Sequence, residues 1–411
     1  MNEFLSPYEV LFDKRLGKRF RDTIQGIIGA ESLRVMKIAT FSPNRQENAS
    51  STAKAIYRFL WNDDFSAQEL LKPLYKKTKE DFRNEKKVIG VIDLSPWEKP
   101  YARKMEGLSK VKKKDKSGTV NGYMAVSVLF ISKNKKGLGY FHLFSYEKFS
   151  YEESMSQNKQ IERAIEEARK LLPAEAKITW VWDRGFDDGK NYKDVLGNGE
   201  DFIGRVYQNR NVEVKGKPRK LLDWGEGLPV KTRFKTKMFF KGKVREVEIE
   251  LAWGKCVWKG EVLYLLRSQI VWVEGIDIRS WKEEDRTWWL LTNIPIRSRE
   301  RALKVWEIYR KRWAIEDFFK FVKDGLGGEE FQVLGLARIR KLVSMVVIAG
   351  AFIYDLGPTT ETPLVQVLLM LGGWSGSKHD KPGKEVLKRG LSMLFTYIVV
   401  GEFMKGYKGS S

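Results

Sequence analysis

The sequence predicts an α/β fold: a central sheet with helices, a β-rich insertion and helical segments at either side of it. Three observations point there. Short β-branched and aromatic runs begin at Lys87, apolar residues at helical spacing fill the segments before about residue 80 and after Pro295, and 411 residues with 42% hydrophobic content suffice for a large core.

Residues 1 to about 80 read as helical, with a basic first stretch (Lys14, Arg15, Lys18, Arg19, Arg21) and a helix near Ser51 to Trp61 carrying Lys54 and Arg58. A loop rich in Pro, Asn and Ser, Phe41 to Ser51, separates them. Strands are expected at Val88 to Leu94, Gly122 to Ser132 and Leu138 to Phe149, an amphipathic helix over Glu152 to Leu172, then strands at Ile178 to Trp182 and Asp201 to Tyr207. Three antiparallel strands, a helix and a returning parallel strand is the order of a ribonuclease-H-like sheet. Lys- and Gly-rich alternating runs, Arg245 to Trp253 and Val262 to Val273 among them, mark the insertion. One helix is expected from an N-cap at Ser298 to the cluster Gly325, Gly327, Gly328. The resulting units are an N-terminal helical region (1–80) whose basic faces could read DNA, a ribonuclease-H-like core (81–208 and 287–350), the insertion (209–286) and a C-terminal helical region (351–411).

Composition narrows the chemistry. Lysine plus arginine exceed aspartate plus glutamate by 75 to 53, a formal net charge of +22 that calls for a polyanionic partner, nucleic acid by default. With Cys256 the single cysteine and His142 and His379 the only histidines, a disulfide framework, a Cys/His zinc site and a histidine-based triad are all disfavoured. Any metal must then sit on carboxylate oxygens, which suits Mg²⁺ or Mn²⁺. Met1 to Arg21 has no uninterrupted apolar stretch, and the runs Leu342 to Leu356 and Leu391 to Val400 are too short to span a bilayer and read as buried helices. The expectation is a cytoplasmic, nucleoid-associated protein.

Asp93 and Asp183 each close an apolar strand, where two carboxylates can face one metal cluster; aspartates at strand ends also cap turns. Arg312, Glu316 and Lys323 lie 3, 7 and 14 residues after Tyr309, so the four fall within roughly a 60° arc at about 100° per helical residue. Most other residues there are apolar, so a polar line is costly unless it meets partners such as metal and phosphate. Intrahelical pairing of Arg312 with Glu316 is the plainer explanation, but it leaves Tyr309 and Lys323 unexplained.

The pattern Tyr-x2-Arg-x3-Glu-x6-Lys in Tyr309, Arg312, Glu316 and Lys323 resembles the signature of the insertion-sequence-four family of bacterial DDE transposases, which includes the Tn-five and Tn-ten type enzymes. The approach from Trp288 through Pro295 to Tyr309, the pair Asp183-Arg184, and Ala55 to Phe59 with Ser66-Ala67 are similar to the same family, so that the likeness runs over about residues 11 to 350. The resemblance implies that Asp93, Asp183 and Glu316 ligate two Mg²⁺ ions, with Mn²⁺ able to substitute. It implies that Tyr309, Arg312 and Lys323 hold phosphates of the transposon end, that Arg205 and Arg184 contact the DNA backbone, and that Trp288, or its neighbour Trp289, stacks on a flipped base. Lys18, Arg19 and Arg58 would grip the ends, and the protein would work as a homodimer in a synaptic complex on transposon and target DNA. The basic stretches Lys110 to Lys116 and Lys133 to Lys136 either line the DNA path or are solvated loops. Two other readings stay open: a domesticated DNA-binding protein without catalysis, and a ribonuclease-H-like nuclease.

Overall fold

The structure is a computed structural model that describes residues 1–42, 48–115, 117–133, 135–147, 156–207, 209–240, 243–357, 362–374 and 383–408. Helices α1 (Asn2–Glu9), α2 (Lys14–Ala30), α3 (Val35–Thr40), α4 (Ala49–Trp61) and α5 (Ala67–Phe82) come first. Side-chain caps start several of them: Asp13 accepts from Arg15 and Leu16, Asn48 from Ser51, and Ser66 forms a reciprocal capping box with Glu69. The sheet follows, with β1 (Lys87–Glu98), β2 (Ser109–Lys112), β3 (Thr119–Ile131), β4 (Lys136–Phe144), helix α6 (Gln157–Arg169), β5 (Lys177–Trp182), α7 (Gly189–Gly197) and β6 (Asp201–Arg205). Then come β7 (Asn211–Val214), β8 (Lys217–Lys220), α8 (Leu221–Glu226), β9 (Thr232–Phe240), β10 (Lys243–Trp258), β11 (Glu261–Val273), α9 (Glu283–Arg286) and β12 (Thr287–Thr292). The chain closes with α10 (Arg299–Arg310), α11 (Trp313–Lys320), a π-helical turn Phe321–Gly325, α12 (Leu336–Leu356), α13 (Pro363–Leu371) and α14 (Lys384–Lys408).

β4, β3 and β1 pair antiparallel, and β5 and β6 join β1 in parallel, which is the strand order expected from the sequence. The insertion strands continue this sheet instead of forming a second one. β12 pairs antiparallel with β6, then β11 and β10 follow in a single 12-stranded sheet. Each sheet face has its own core. One is covered by α6 and α7 through Ile161, Ala164, Ile165, Ala168, Tyr192 and Val195. The other is shared by α10, α11, α12 and the N-terminal helices, so Phe20, Ile24 and Phe59 belong to the same apolar cluster as Ile315, Val322 and Leu342.

Several expected boundaries differ. The strand from Asp201 stops at Arg205, and the start of the helix expected from Glu152 lies outside the described residues, as do parts of the loops at Phe41 to Ser51 and Gly372 to Gly383. The single helix expected after Ser298 is two helices and a π turn: Lys311 and Arg312 keep right-handed helical angles, but the hydrogen bonds there tighten to i→i−3 spacing, as from Arg312 N–H to Tyr309 and from Ile315 N–H to Arg312. Gly327 ends that segment with φ +61°, and a Cβ there would come within 2.6 Å of the Glu31 carbonyl, so only glycine lets α2 and this loop meet. Leu391 and Phe395 of α14 are buried, but Tyr397 is 59% and Val400 51% exposed, so the run Leu391 to Val400 is only half covered. Among the described residues no helix is long and apolar enough to cross a membrane.

Candidate active site

The register of two strands places the aspartates. β1 and β5 pair in parallel up to Val91 opposite Val181, and two residues further along each strand stand Asp93 and Asp183. A strand returns to the same face every second residue and neighbouring strands lie about 4.8 Å apart, so the two carboxylates emerge side by side on the face covered by α10 to α12. Both are half-buried. Asp183 follows the last residue of β5, and its backbone carbonyl starts the 3-10 turn Arg184–Phe186 that turns the chain away.

Helices α10 and α11 bring the remaining groups. Tyr309, fully buried, donates its hydroxyl to Asp183 Oδ1 at 3.4 Å. Arg312, at the turn between the helices, holds Glu316 Oε1 at 2.5 Å, and Arg205 from β6 lies 3.9 Å from Asp183 Oδ1. The Arg312 side chain is 7% exposed whereas that of Glu316 is 48% exposed, so a sunken guanidinium is bridged to an open carboxylate. Burial raises the Asp93 carboxyl to about 7, with Glu316 and Asp183 adding to the rise and Arg312 opposing it. Burial also acts on Asp183, but there Arg312, the Arg184 backbone N–H, Arg205 and Arg184 outweigh it and lower its pKa. Arg312 shows the converse: burial works against its charge, yet Tyr309, Glu316, Asp183 and Asp93 together raise its pKa. The guanidinium is thus the common countercharge of all three carboxylates.

Among the described residues, no three Asp, Glu, His or Cys side chains are drawn into a group that could hold a metal ion as they stand. The donor set nevertheless suits a hard divalent cation. Asp93, Asp183 and Glu316 offer only carboxylate oxygens, the donor type that such a cation prefers.

Lys323, in the π turn, reaches back to β1: its ammonium donates to Ser95 Oγ at 2.5 Å and to the Pro96 carbonyl, with Glu329 Oε1 at 3.7 Å. Burial depresses its pKa to about 8, partly offset by Glu329 and Asp93. Trp288 and Trp289 are separated by the strand alternation of β12. Trp288 faces the site, edge-on to Tyr309 (5.3 Å between centroids) and Trp313 (6.2 Å) and stacked on Trp306 (6.4 Å). Trp289 faces the opposite core, where it packs so closely on Gly225 that a Cβ there would come within 2.6 Å of the ring.

Arg184 and Arg205 are both tied to α9, the first through Glu284 Oε2 at 3.4 Å, the second through the Glu284 and Thr287 carbonyls at 2.6 and 3.2 Å. Lys18, Arg19 and Arg58 lie on α2 and α4, Lys18 and Arg58 exposed and Arg19 half-buried, and they make no contact with the carboxylates. Of the two basic stretches, Lys114 is engaged by Glu329 (2.7 Å) and Asp324 (3.7 Å) and Lys135 by Glu85 (3.3 Å); Lys116 and Asn134 lie outside the described residues.

The sequence reading missed Ser95, Glu329, Glu284, Trp306 and Trp313. Ser95 alone had a local signal, because it falls two residues after Asp93 on the same strand face; Glu329 meets its β1 partner Glu98 across 231 positions.

A ribonuclease-H-like strand order with carboxylates at the ends of its parallel strands is the architecture of metal-dependent enzymes that act on nucleic-acid phosphates. Residues 85–350, from the start of the sheet to most of α12, match the transposase DDE domain family, and the chain belongs to it. It is therefore a DDE transposase, of a class that acts on DNA and generally uses divalent metal ions.

Proposed function

We propose that the protein is a cut-and-paste transposase of the insertion-sequence-four kind that cleaves transposon ends and joins the 3′ ends to target DNA as a homodimer. The observation that carries this reading is the register that sets Asp93 and Asp183 side by side with Tyr309, Arg312 and Glu316 packed over them. Asp93, Asp183 and Glu316 would hold two Mg²⁺ ions, which lower the pKa of an attacking water or 3′-hydroxyl and stabilise the leaving oxygen. Tyr309, Arg312 and Lys323 bind the phosphates on either side of the cut, and Arg205 and Arg184 the backbone beyond it. In the sequence of events, water nicks one strand, the freed 3′-hydroxyl closes a hairpin on the opposite strand, water reopens it, and the 3′ ends attack the target. Trp288 stacks on the base extruded at the hairpin, offsetting an unstacking cost of a few kcal/mol.

Incubating the purified protein and Mg²⁺ with DNA carrying its own element's ends tests this, paired double-strand breaks being the expected product. Tight end binding without cleavage in Mg²⁺ or Mn²⁺ would favour the inactive DNA-binding reading. Lys18, Arg19 and Arg58 are assigned to end recognition. Replacing all three by alanine should lower the slope of log affinity against log salt by about one unit per lost phosphate contact. An unchanged salt titration would move recognition elsewhere.

A further inference from the structure

At the far end of the same strands, a cleft of about 960 Å³ opens between α10 and the beginnings of β1 and β5. Lys86, Lys87, Arg297, Arg301, Lys304 and Lys311 line it, all exposed. Arg301, Lys304 and Lys311 share one face of α10 and its C-terminal cap, while Arg297 precedes the N-cap Ser298. The two acidic residues in the cleft are already engaged, Glu85 by Lys135 at 3.3 Å and Asp201 by Lys177 at 3.1 Å. The six cations have no ion pair among the described residues, so their mutual repulsion is unrelieved. A second observation points to a ligand: Ser132, 6% exposed, lines the cleft with its hydroxyl lacking any hydrogen-bond partner.

The spacing of the cations selects the ligand. From Arg301 to Lys311 the charges run along about 15 Å of helix, so they do not converge on one point as a site for a single phosphate would. A line of positive charge over an apolar floor of Ile89, Ile131 and Val305 matches a sugar–phosphate backbone. Lys87 precedes Asp93 by six residues of strand, about 20 Å, so DNA held here is not the segment being cut. We propose that this cleft is a second DNA-binding site, which grips the phosphodiester backbone of another duplex segment while the carboxylate site works on the transposon end. The inference rests on the transposase reading above.

The test uses the full chain, a fluorescently labelled generic DNA duplex and a salt titration. Replacing Arg297, Arg301 and Lys304 together by alanine should weaken binding roughly tenfold or more and lower the salt slope by about 2 to 3 units. A control triple on the exposed β8 strand, Lys217→Ala, Arg219→Ala and Lys220→Ala, should leave both unchanged. The rise in melting temperature on adding Mn²⁺ should persist in both variants, reporting an intact carboxylate site. Should the cleft triple fail to fold, Lys304→Glu alone must still weaken binding. Unchanged affinity, or equal losses in the control, overturns the second site and leaves the transposase reading standing; a parent protein that binds no duplex overturns both.

Discussion

At the C-terminal ends of β1 and β5 the charged groups answer one another: Arg312 with Glu316, Arg205 beside Asp183, Lys323 on Ser95 and Glu329. At the N-terminal ends of the same strands, Lys86, Lys87, Arg301 and Lys304 face open space with no anionic partner among the described residues. The first arrangement fixes geometry, because buried charge is tolerated only when each group is paired or hydrogen-bonded. The second fixes little geometry but creates a long-range field, which solvent-exposed cations supply without order. On the readings proposed above, the reaction and the grip on a second duplex segment belong to opposite ends of one sheet, so each should be alterable without the other.

The strongest test of that separation removes single carboxylates. Asp93→Asn, Asp183→Asn and Glu316→Gln should each slow strand cleavage by at least about a thousandfold, roughly 4 kcal/mol of activation free energy, while duplex binding is not weakened. Normal cleavage by any of the three would remove that residue from the metal set, and a parallel loss of binding would show that the two ends are not independent.

A middle-sized effect distinguishes the two tryptophans. Trp288→Ala should slow hairpin closure about tenfold, from lost stacking of about 1 to 3 kcal/mol, so that nicked DNA accumulates. Trp289→Ala should spare the chemistry and lower stability, because its ring fills the opposite core over Gly225. On denaturing gels of 3′-labelled ends, equal slowing of nicking and hairpin formation by Trp288→Ala would make that ring ordinary packing.

The smallest effect is a pH dependence. Burial pushes the Asp93 carboxyl up from its ordinary 3.8 to about 7. A raised carboxyl pKa means that the folded state retains the proton longer. The contribution to stability is full below about 3.8 and is lost as pH rises through 7. Divalent metal needs the ionised carboxylate, so each pH unit below 7 should weaken its affinity by up to about tenfold, about 1.4 kcal/mol. At this chain length that corresponds to about 1 to 2 °C of melting temperature. The Mn²⁺-induced rise should therefore be larger at pH 8 than at pH 6, and Asp93→Asn should flatten the difference. The same flatness in the parent protein would separate Asp93 from the metal.

The sequence by itself determined the order of strands and helices from Lys87 to Trp182 except the short edge strand β2, because period-two alternation and helical spacing are local signals. It also singled out Asp93 and Asp183, polar residues closing apolar strands, and the run from Tyr309 to Lys323. Whether distant segments meet is not a local property. That β12 joins the insertion to the core sheet, that Trp288 and Trp289 part to opposite faces, and that Ser95 and Glu329 hold Lys323 were decided by pairing across long separations. So was the break at Lys311 and Arg312. Helical periodicity extends straight through it, and only the packing of α10 and α11 on the sheet turns the Arg312 guanidinium into the carboxylate cluster. The basic cleft was invisible for the same reason: Lys87 and Lys304 lie 217 positions apart in the chain and share a wall only because α10 folds back over the starting ends of β1 and β5.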